Sequence, residues 1–310
     1  MKLARAHLKN SAAFVVSLLF IAWFVYLLNQ TTFDYYNTLL EFPSWLGCFV
    51  FFGLPITYLL RGWRVAYEFR DYPELTLLKS IQVVLWHNAS VNFLPFRSGE
   101  VAFPILLHRI AQVPMVRAVA SLMHLRMQDA STVLLLAIAF WPNLEGSTRL
   151  LMSLTFLGLL IGVYRWLKAP ANWQNSSFVI KRYLSSLRLA MATGNPNPLQ
   201  SWLLTLSNWL IKISVQAALY YVLAKIDLFA GVLATISSEV SAFSPLQGIA
   251  GIGTFEVSSA LAMYADGVPW DKGIQIAAIV HLIMLCSAFF WTTMGWLLPK
   301  LTINKTEEIK

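Results

Sequence analysis

The chain has 310 residues, of which 57% are hydrophobic and 12% charged, and its mean hydropathy is +0.61. Soluble domains carry about 25% charged residues, so this composition excludes an ordinary soluble enzyme and predicts a multi-pass membrane protein. The formal net charge of +8 is spread over connecting loops and not gathered in a block, so no nucleic-acid partner is expected and the charges report topology instead.

The first predicted element is the apolar run 11–29, preceded by Lys2, Arg5 and Lys9. It is longer than the roughly 7–15 residues of a signal-peptide core, and no small-x-small cleavage site follows in NQTTFDYY, so it reads as a membrane helix. Next come a span over 44–61, an interrupted apolar segment over 78–111, and spans over 116–140 and 149–167. The hydrophilic stretch 168–200 is too short for an independent core. A span over 201–224, a second interrupted segment over 230–265 and a last span over 273–298 complete the chain. Cys48 and Cys286 both lie in apolar runs, so no disulfide framework is expected.

The two interruptions are LPFRSGE, with Pro95, Arg97, Gly99 and Glu100, and SPLQGIAGIG, with Pro245, Gly251 and Gly253. Proline removes a helical donor and glycine tolerates the turn. The pieces on either side are short for a full crossing, so each segment is predicted to be a helical hairpin that enters and leaves on one side. Backbone freed at such a break survives at membrane depth only inside protein or beside a water-filled cavity. The predicted fold is all-α: a polytopic membrane helix bundle of six full spans plus two broken-helix hairpins, about eight hydrophobic segments in a single transmembrane domain over 1–310. With the N-terminus in the cytoplasm, Arg61, Arg64, Arg109, Arg117, Arg165, Arg188 and Lys300 fall on the cytoplasmic side, against Arg149, Lys225 and Lys272 outside. Both termini are therefore expected in the cytoplasm, and a bacterial cytoplasmic membrane is the expected location.

Three full crossings separate the hairpins, so they enter from opposite faces, the arrangement of an inverted repeat. Repeat elements over about 44–140 and 201–298 are supported by ordered matches. Each has a proline, a glycine-containing turn, a Gly–Glu pairing (Gly99-Glu100, Gly253-Thr-Phe-Glu256), then Val113-Pro114 or Val268-Pro269 before a full crossing. Glu100 and Glu256 are each expected in the first turn of an outgoing half-helix, where the dipole favours a carboxylate.

Pro95-x-Arg97-x-Gly99-Glu100, followed by Arg126-x-x-Asp129, resembles the lysylphosphatidylglycerol synthase transmembrane region, also called the flippase-like domain. Pro245 through AGIGTFE is similar to that family's Pro…Gly-Gly-x-Gly-x-x-Glu motif, and Arg61-Gly-Trp63-Arg64 to its short basic stretch after an early helix. The resemblance runs over roughly residues 10 to 300. Two positions depart from it: Phe103 stands where a basic residue follows Gly-Glu, and Ala250 replaces one glycine of the pair. Only LTINKTEEIK follows Lys300, so synthesis by an attached aminoacyl-transferring domain is not expected. The resemblance implies movement of an amphiphilic lipid between leaflets.

Seven ionisable residues lie at predicted membrane depth outside the loops: Arg97, Glu100, Arg126, Asp129, Lys212, Glu239 and Glu256. An isolated charge at the bilayer centre costs about 2.5–3.5 kcal/mol on insertion scales, so all seven are expected to face an interior. Mutual pairing is the bland explanation, with Arg126 and Asp129 matched at i, i+3 and the two glutamates capping half-helices. The functional one makes them a substrate-binding set: Arg97 and Arg126 holding a phosphate in their planar forks, Lys212 adding a point charge, Glu100 and Glu256 titrating or meeting a cationic headgroup. His87, His124 and His281 also lie at depth and are read as interhelical hydrogen-bonding residues. No HExxH, CxxC, Walker loop or nucleophile elbow occurs, so no metal, no other cofactor and no enzymatic activity are expected. The partners expected are a membrane lipid and lipid- or glycan-synthesis enzymes. The leading function is lipid translocation; a membrane enzyme acting on a lipid headgroup and a non-catalytic lipid-presenting partner are the alternatives.

Overall fold

A chain this apolar must satisfy its backbone hydrogen bonds internally, and the helix does so within one segment. The computed structural model describes residues 42–141, 144–169, 179–193, 198–242 and 249–297. Among them are ten α-helices and no strand: α1 (Ser44–Glu68), α2 (Leu77–Phe93), α3 (Ala102–Ala111), α4 (Met115–Phe140), α5 (Gly146–Lys168), α6 (Val179–Thr193), α7 (Pro198–Ala224), α8 (Leu228–Ser241), α9 (Thr254–Ala265) and α10 (Trp270–Leu297). The run 11–29 lies outside the described residues, as does Pro245.

Ser44–Glu68, Gly146–Leu167 and Trp270–Gly295 are long and apolar enough to cross a membrane. Leu199–Ala224 and Leu228–Ser241 pass the same test together, bent by 119° at a short break. The protein is thus an all-helical, multi-pass membrane protein. Helix α5 shows most plainly what lipid demands. Leu150, Leu151, Leu154, Leu159 and Ile161 are all exposed around its circumference, as suits a helix in hydrocarbon. Helix α4 is the converse. Ser121, His124, Gln128 and Ser131, spaced by three or four residues, are buried together with Thr132, so its polar stripe faces protein.

Both predicted interruptions are helix breaks. After α2, a 3-10 segment over Pro95–Val101 leads into the ten-residue α3. A Cβ on Gly99 would overlap the Ser90 carbonyl of α2, so only glycine lets this turn lie so close. The second break has Ala250, Gly251 and Gly253 at φ 57°, 81° and 92°, a left-handed run that two glycines make affordable. Helices α8 and α9 pack on one another across it, and Ser259 Oγ donates to the Ala234 carbonyl at 3.4 Å.

One expected helix boundary is corrected. The span expected over 44–61 does not end at residue 61: α1 continues to Glu68, because no proline or glycine follows Gly62 until Pro73. Arg61, Arg64 and Glu68 are therefore helical, not loop, residues. The stretch 168–200 also contains a helix, α6, which packs on α4 and α5. Arg188 of α6 donates to the carbonyls of Trp166 and Ala169 (2.8 Å for the latter), satisfying acceptors that the end of α5 leaves open.

The described residues fall into two compact units, each discontinuous in sequence. The first takes residues up to Thr57, His87–Glu100 and Leu210–Thr293; the second takes Tyr58–Trp86, Val101–Trp209 and those from Met294 onward. Each draws on both stretches read as repeat elements. The core of the first includes Leu46, Leu54, Leu219, Tyr220, Met263 and Ile276. That of the second includes Val65, Phe69, Val83, Phe103, Leu107 and Val113.

Candidate functional site

Five of the seven singled-out charges lie in the first unit: Arg97, Glu100, Lys212, Glu239 and Glu256. Glu256 is the third residue of α9 and is 1% exposed. One carboxylate oxygen accepts from the Gly253 N–H at 2.6 Å, so it caps the half-helix as expected of a carboxylate in a first turn. The other lies 2.6 Å from Nδ1 of His281 on α10. His281 Nε2 lies 3.1 Å from the Ala250 carbonyl, and a carbonyl only accepts, so Nε2 carries a proton. A hydrogen bond at Nδ1 then requires a second proton, held by the imidazole or by Glu256. Phe255 stacks on the ring with centroids 4.2 Å apart. The carboxylate, the imidazole and the left-handed turn form one continuous hydrogen-bonded unit.

Glu100 stands in the 3-10 segment and not in the first turn of α3, which begins at Ala102; this corrects the sequence expectation. Its carboxylate lies 3.0 Å from Nε2 of His87 on α2. Each glutamate at a helix break is therefore held by a histidine from a longer helix. Lys212 of α7 donates to Glu239 of α8 at 2.7 Å, and Gln216, one turn along, donates to its other oxygen at 2.8 Å. Tyr220, a further turn along α7, donates to Ser259 of α9 at 2.7 Å. A cavity of about 360 Å³ adjoins the second turn, lined by Ala89 and Asn92 of α2, Ala250, and Cys286, Ala288 and Phe289 of α10. Its lining is mostly apolar, and Ala250 also bears the carbonyl that His281 meets.

Arg126 and Asp129 lie in the second unit, and their expected mutual pairing is the weaker contact, at 3.7 Å. The main partner of Asp129 is Arg64 of α1, whose guanidinium grips both carboxylate oxygens at 2.7 and 3.1 Å and donates to Thr205 at 2.6 Å. Trp209 Nε1 donates to Asp129 at 3.3 Å. Beside this pair, Arg117 of α4 donates to Glu68 at 3.0 Å and to Ser121 at 2.6 Å, and its second amino group reaches the Glu68 main-chain carbonyl at 3.1 Å. The side chain of Arg97 lies outside the described residues.

Sequence reasoning missed Arg64 and Glu68, which lie beyond the expected end of the span at residue 61, and also Arg117, which it counted only among the cytoplasmic-side charges; it set aside His87 and His281 as interhelical hydrogen-bonding residues, without linking them to the glutamates. The unbroken stretch from Trp63 to Tyr72 was the available signal for the first group. Nothing local links His281 to Glu256, 25 positions earlier.

Residues 10–292 match the family profile described as the lysylphosphatidylglycerol synthase TM region. No curated protein and no solved structure matches the chain.

Proposed function

The chain belongs to that family, and from this premise we propose that it moves an anionic amphiphilic lipid, a phospholipid or a phosphate-linked isoprenoid or glycolipid, between the leaflets of its membrane. The observation that carries this reading is the pairing of a polar device with an apolar cavity at the second helix break. Glu256 and His281 close on the Ala250 turn, and the cavity bounded by that turn offers a surface for a tail. An amphiphile crossing a bilayer needs both a polar surface and an apolar one.

Helix lengths support two hairpins within one transmembrane domain. Helices α8 and α9 have 14 and 12 residues and rise roughly 21 and 18 Å, short of the about 30 Å hydrocarbon core. Helix α3, with ten residues, is shorter still. On this reading the six full spans and two hairpins form an inverted repeat in a bacterial cytoplasmic membrane with both termini inside. Arg97 and Lys212 contact the phosphate, and Glu100 and Glu256 exchange protons as the lipid passes. The protein acts without a cofactor and beside lipid- or glycan-synthesis enzymes.

Reconstitution in liposomes with a labelled anionic phospholipid tests this, following both leaflet and mass. Unchanged mass with protein-dependent relocation, lost in Arg97→Gln, is the expected result. A new lipid species would replace the proposal with a headgroup-modifying enzyme. No change in either would leave a lipid-presenting partner.

A further inference from the structure

His281 touches the second helix break twice, once through Glu256 and once through the main chain of the turn. We propose that the Glu256–His281 pair carries one exchangeable proton, whose loss releases the Ala250–Gly253 turn from α10. His281 is then a positioning residue, whose grip on the turn depends on protonation. This deepens the proton exchange read above, and its use in transport rests on that reading.

The two bonds of the ring cannot both survive deprotonation. Nε2 lies 3.1 Å from the Ala250 carbonyl and Nδ1 lies 2.6 Å from a Glu256 oxygen. With both nitrogens bonded to oxygen, imidazole and carboxylate hold two protons between them. Passing one to solvent leaves a neutral imidazole, with one N–H and one lone pair, beside an ionised carboxylate. If Nε2 keeps its hydrogen, the Nδ1 lone pair faces the carboxylate. If Nδ1 keeps it, the Nε2 lone pair faces the Ala250 carbonyl. A charge-assisted bond to a carboxylate is about twice as strong as a neutral one, so the hydrogen stays on Nδ1 and the carbonyl is repelled. Both side chains are buried, and Phe255 stacks on the ring with centroids 4.2 Å apart and holds its plane. The part that moves is therefore the turn.

The turn is tied more firmly to α9 than to α10. Gly253 N–H donates to Glu256 at 2.6 Å, and Thr254 Oγ1 donates to the Gly251 carbonyl at 3.0 Å. After the proton has gone, the carboxylate keeps two donors, Gly253 N–H and Nδ1–H, and the positive end of the α9 dipole. Ala250 holds φ 57°, a left-handed conformation that crowds its Cβ, and its own carbonyl is the one that His281 grips. Ala250 is also a wall of the cavity of about 360 Å³, so its release alters the surface offered there. Ionisable groups on neighbouring helices have other partners. Tyr220 of α7 donates to Ser259 at 2.7 Å, Glu239 of α8 accepts from Lys212 and Gln216, and His87 of α2 meets Glu100.

The test uses the purified full chain in detergent, with isotope-labelled histidine, and follows imidazole tautomers by NMR from about pH 5 to about pH 9, on both sides of the ordinary imidazole value. Among the five histidines, His281 is identified by the loss of its signal in His281→Gln and by its constancy in Glu256→Gln. It is expected to lose the Nε2 proton and keep the Nδ1 proton as pH rises. Glu256→Gln donates to Nδ1 without a second proton and so keeps the turn closed at every pH. Hydrogen exchange of the amides from Ala250 to Thr254 is then compared between wild type and Glu256→Gln at each pH, which cancels the intrinsic pH dependence. The two should match at about pH 5, and the wild type should exchange about fivefold faster at about pH 9, the factor that one neutral hydrogen bond is worth. An Nε2 proton retained throughout, or wild-type exchange no faster than that of Glu256→Gln at high pH, overturns the proposal. A proton-dependent turn in a chain that transfers no lipid keeps the proposal and sinks the translocation reading; transfer with a turn indifferent to pH does the reverse.

Discussion

Replacing Gly99 by alanine probes whether the first helix break is built as described. The added Cβ would overlap the carbonyl carbon and oxygen of Ser90 and the nitrogen of Val91, all main-chain atoms of α2. A flexible side chain could swing aside; a helix backbone cannot. The Ser90 carbonyl also accepts from the Leu94 N–H at 3.0 Å, so relief of the clash weakens that bond, at about 1 kcal/mol. Overpacking costs about 1–3 kcal/mol, and a backbone obstacle puts this case at the upper end, for about 2–4 kcal/mol together. The displaced turn also carries Glu100 away from His87, now 3.0 Å distant. Thermal unfolding in detergent, followed by the fluorescence of the twelve tryptophans, reads the effect against two internal standards. Gly295→Ala meets the end of the Leu85 side chain and should cost less. Gly158→Ala meets nothing within 4 Å and should be neutral or gain up to about 1 kcal/mol from helix propensity. If Gly99→Ala melts with the wild type and Gly158→Ala, the close approach of turn and helix is wrong.

Glu256→Gln keeps an acceptor for the Gly253 N–H and supplies a donor to Nδ1 of His281, so insertion and melting temperature should hold. Liposome transfer should be lost, as in Glu100→Gln, and normal transfer in both variants would leave these glutamates a structural role only. Asp129→Ala strands the buried guanidinium of Arg64 and should destabilise by about 3–5 kcal/mol; a melting temperature within a degree or so of wild type would contradict the pairing. Tyr220→Phe removes the 2.7 Å bond to Ser259 and should cost about 1 kcal/mol, measured in the same melting assay, with no effect expected on lipid binding.

Local chemistry was legible without coordinates. Apolar run length predicted helices, and their ends mostly fell within three residues of the expected positions, because burial in hydrocarbon leaves the backbone no other solution. The breaks at Pro95–Gly99 and Gly251–Gly253 were equally visible, since proline and glycine act on the main chain at their own positions. Glu256 in the first turn of a half-helix was legible too, because a carboxylate just after a glycine-containing break meets the positive end of the dipole.

What the sequence by itself determined, then, is whatever depends on neighbours along the chain: the all-helical class, membrane residence, the two interruptions and the presence of charges that had to be compensated. Tertiary structure alone decided which charge meets which. Asp129 has Arg126 three residues away and yet gives both oxygens to Arg64, 65 positions distant, because α1 and α4 bring a bidentate fork into better register than one turn of helix allows. Glu256 likewise meets His281 across two helices. In a medium without water every charge must find a partner, but proximity in space, set by how helices pack, selects it.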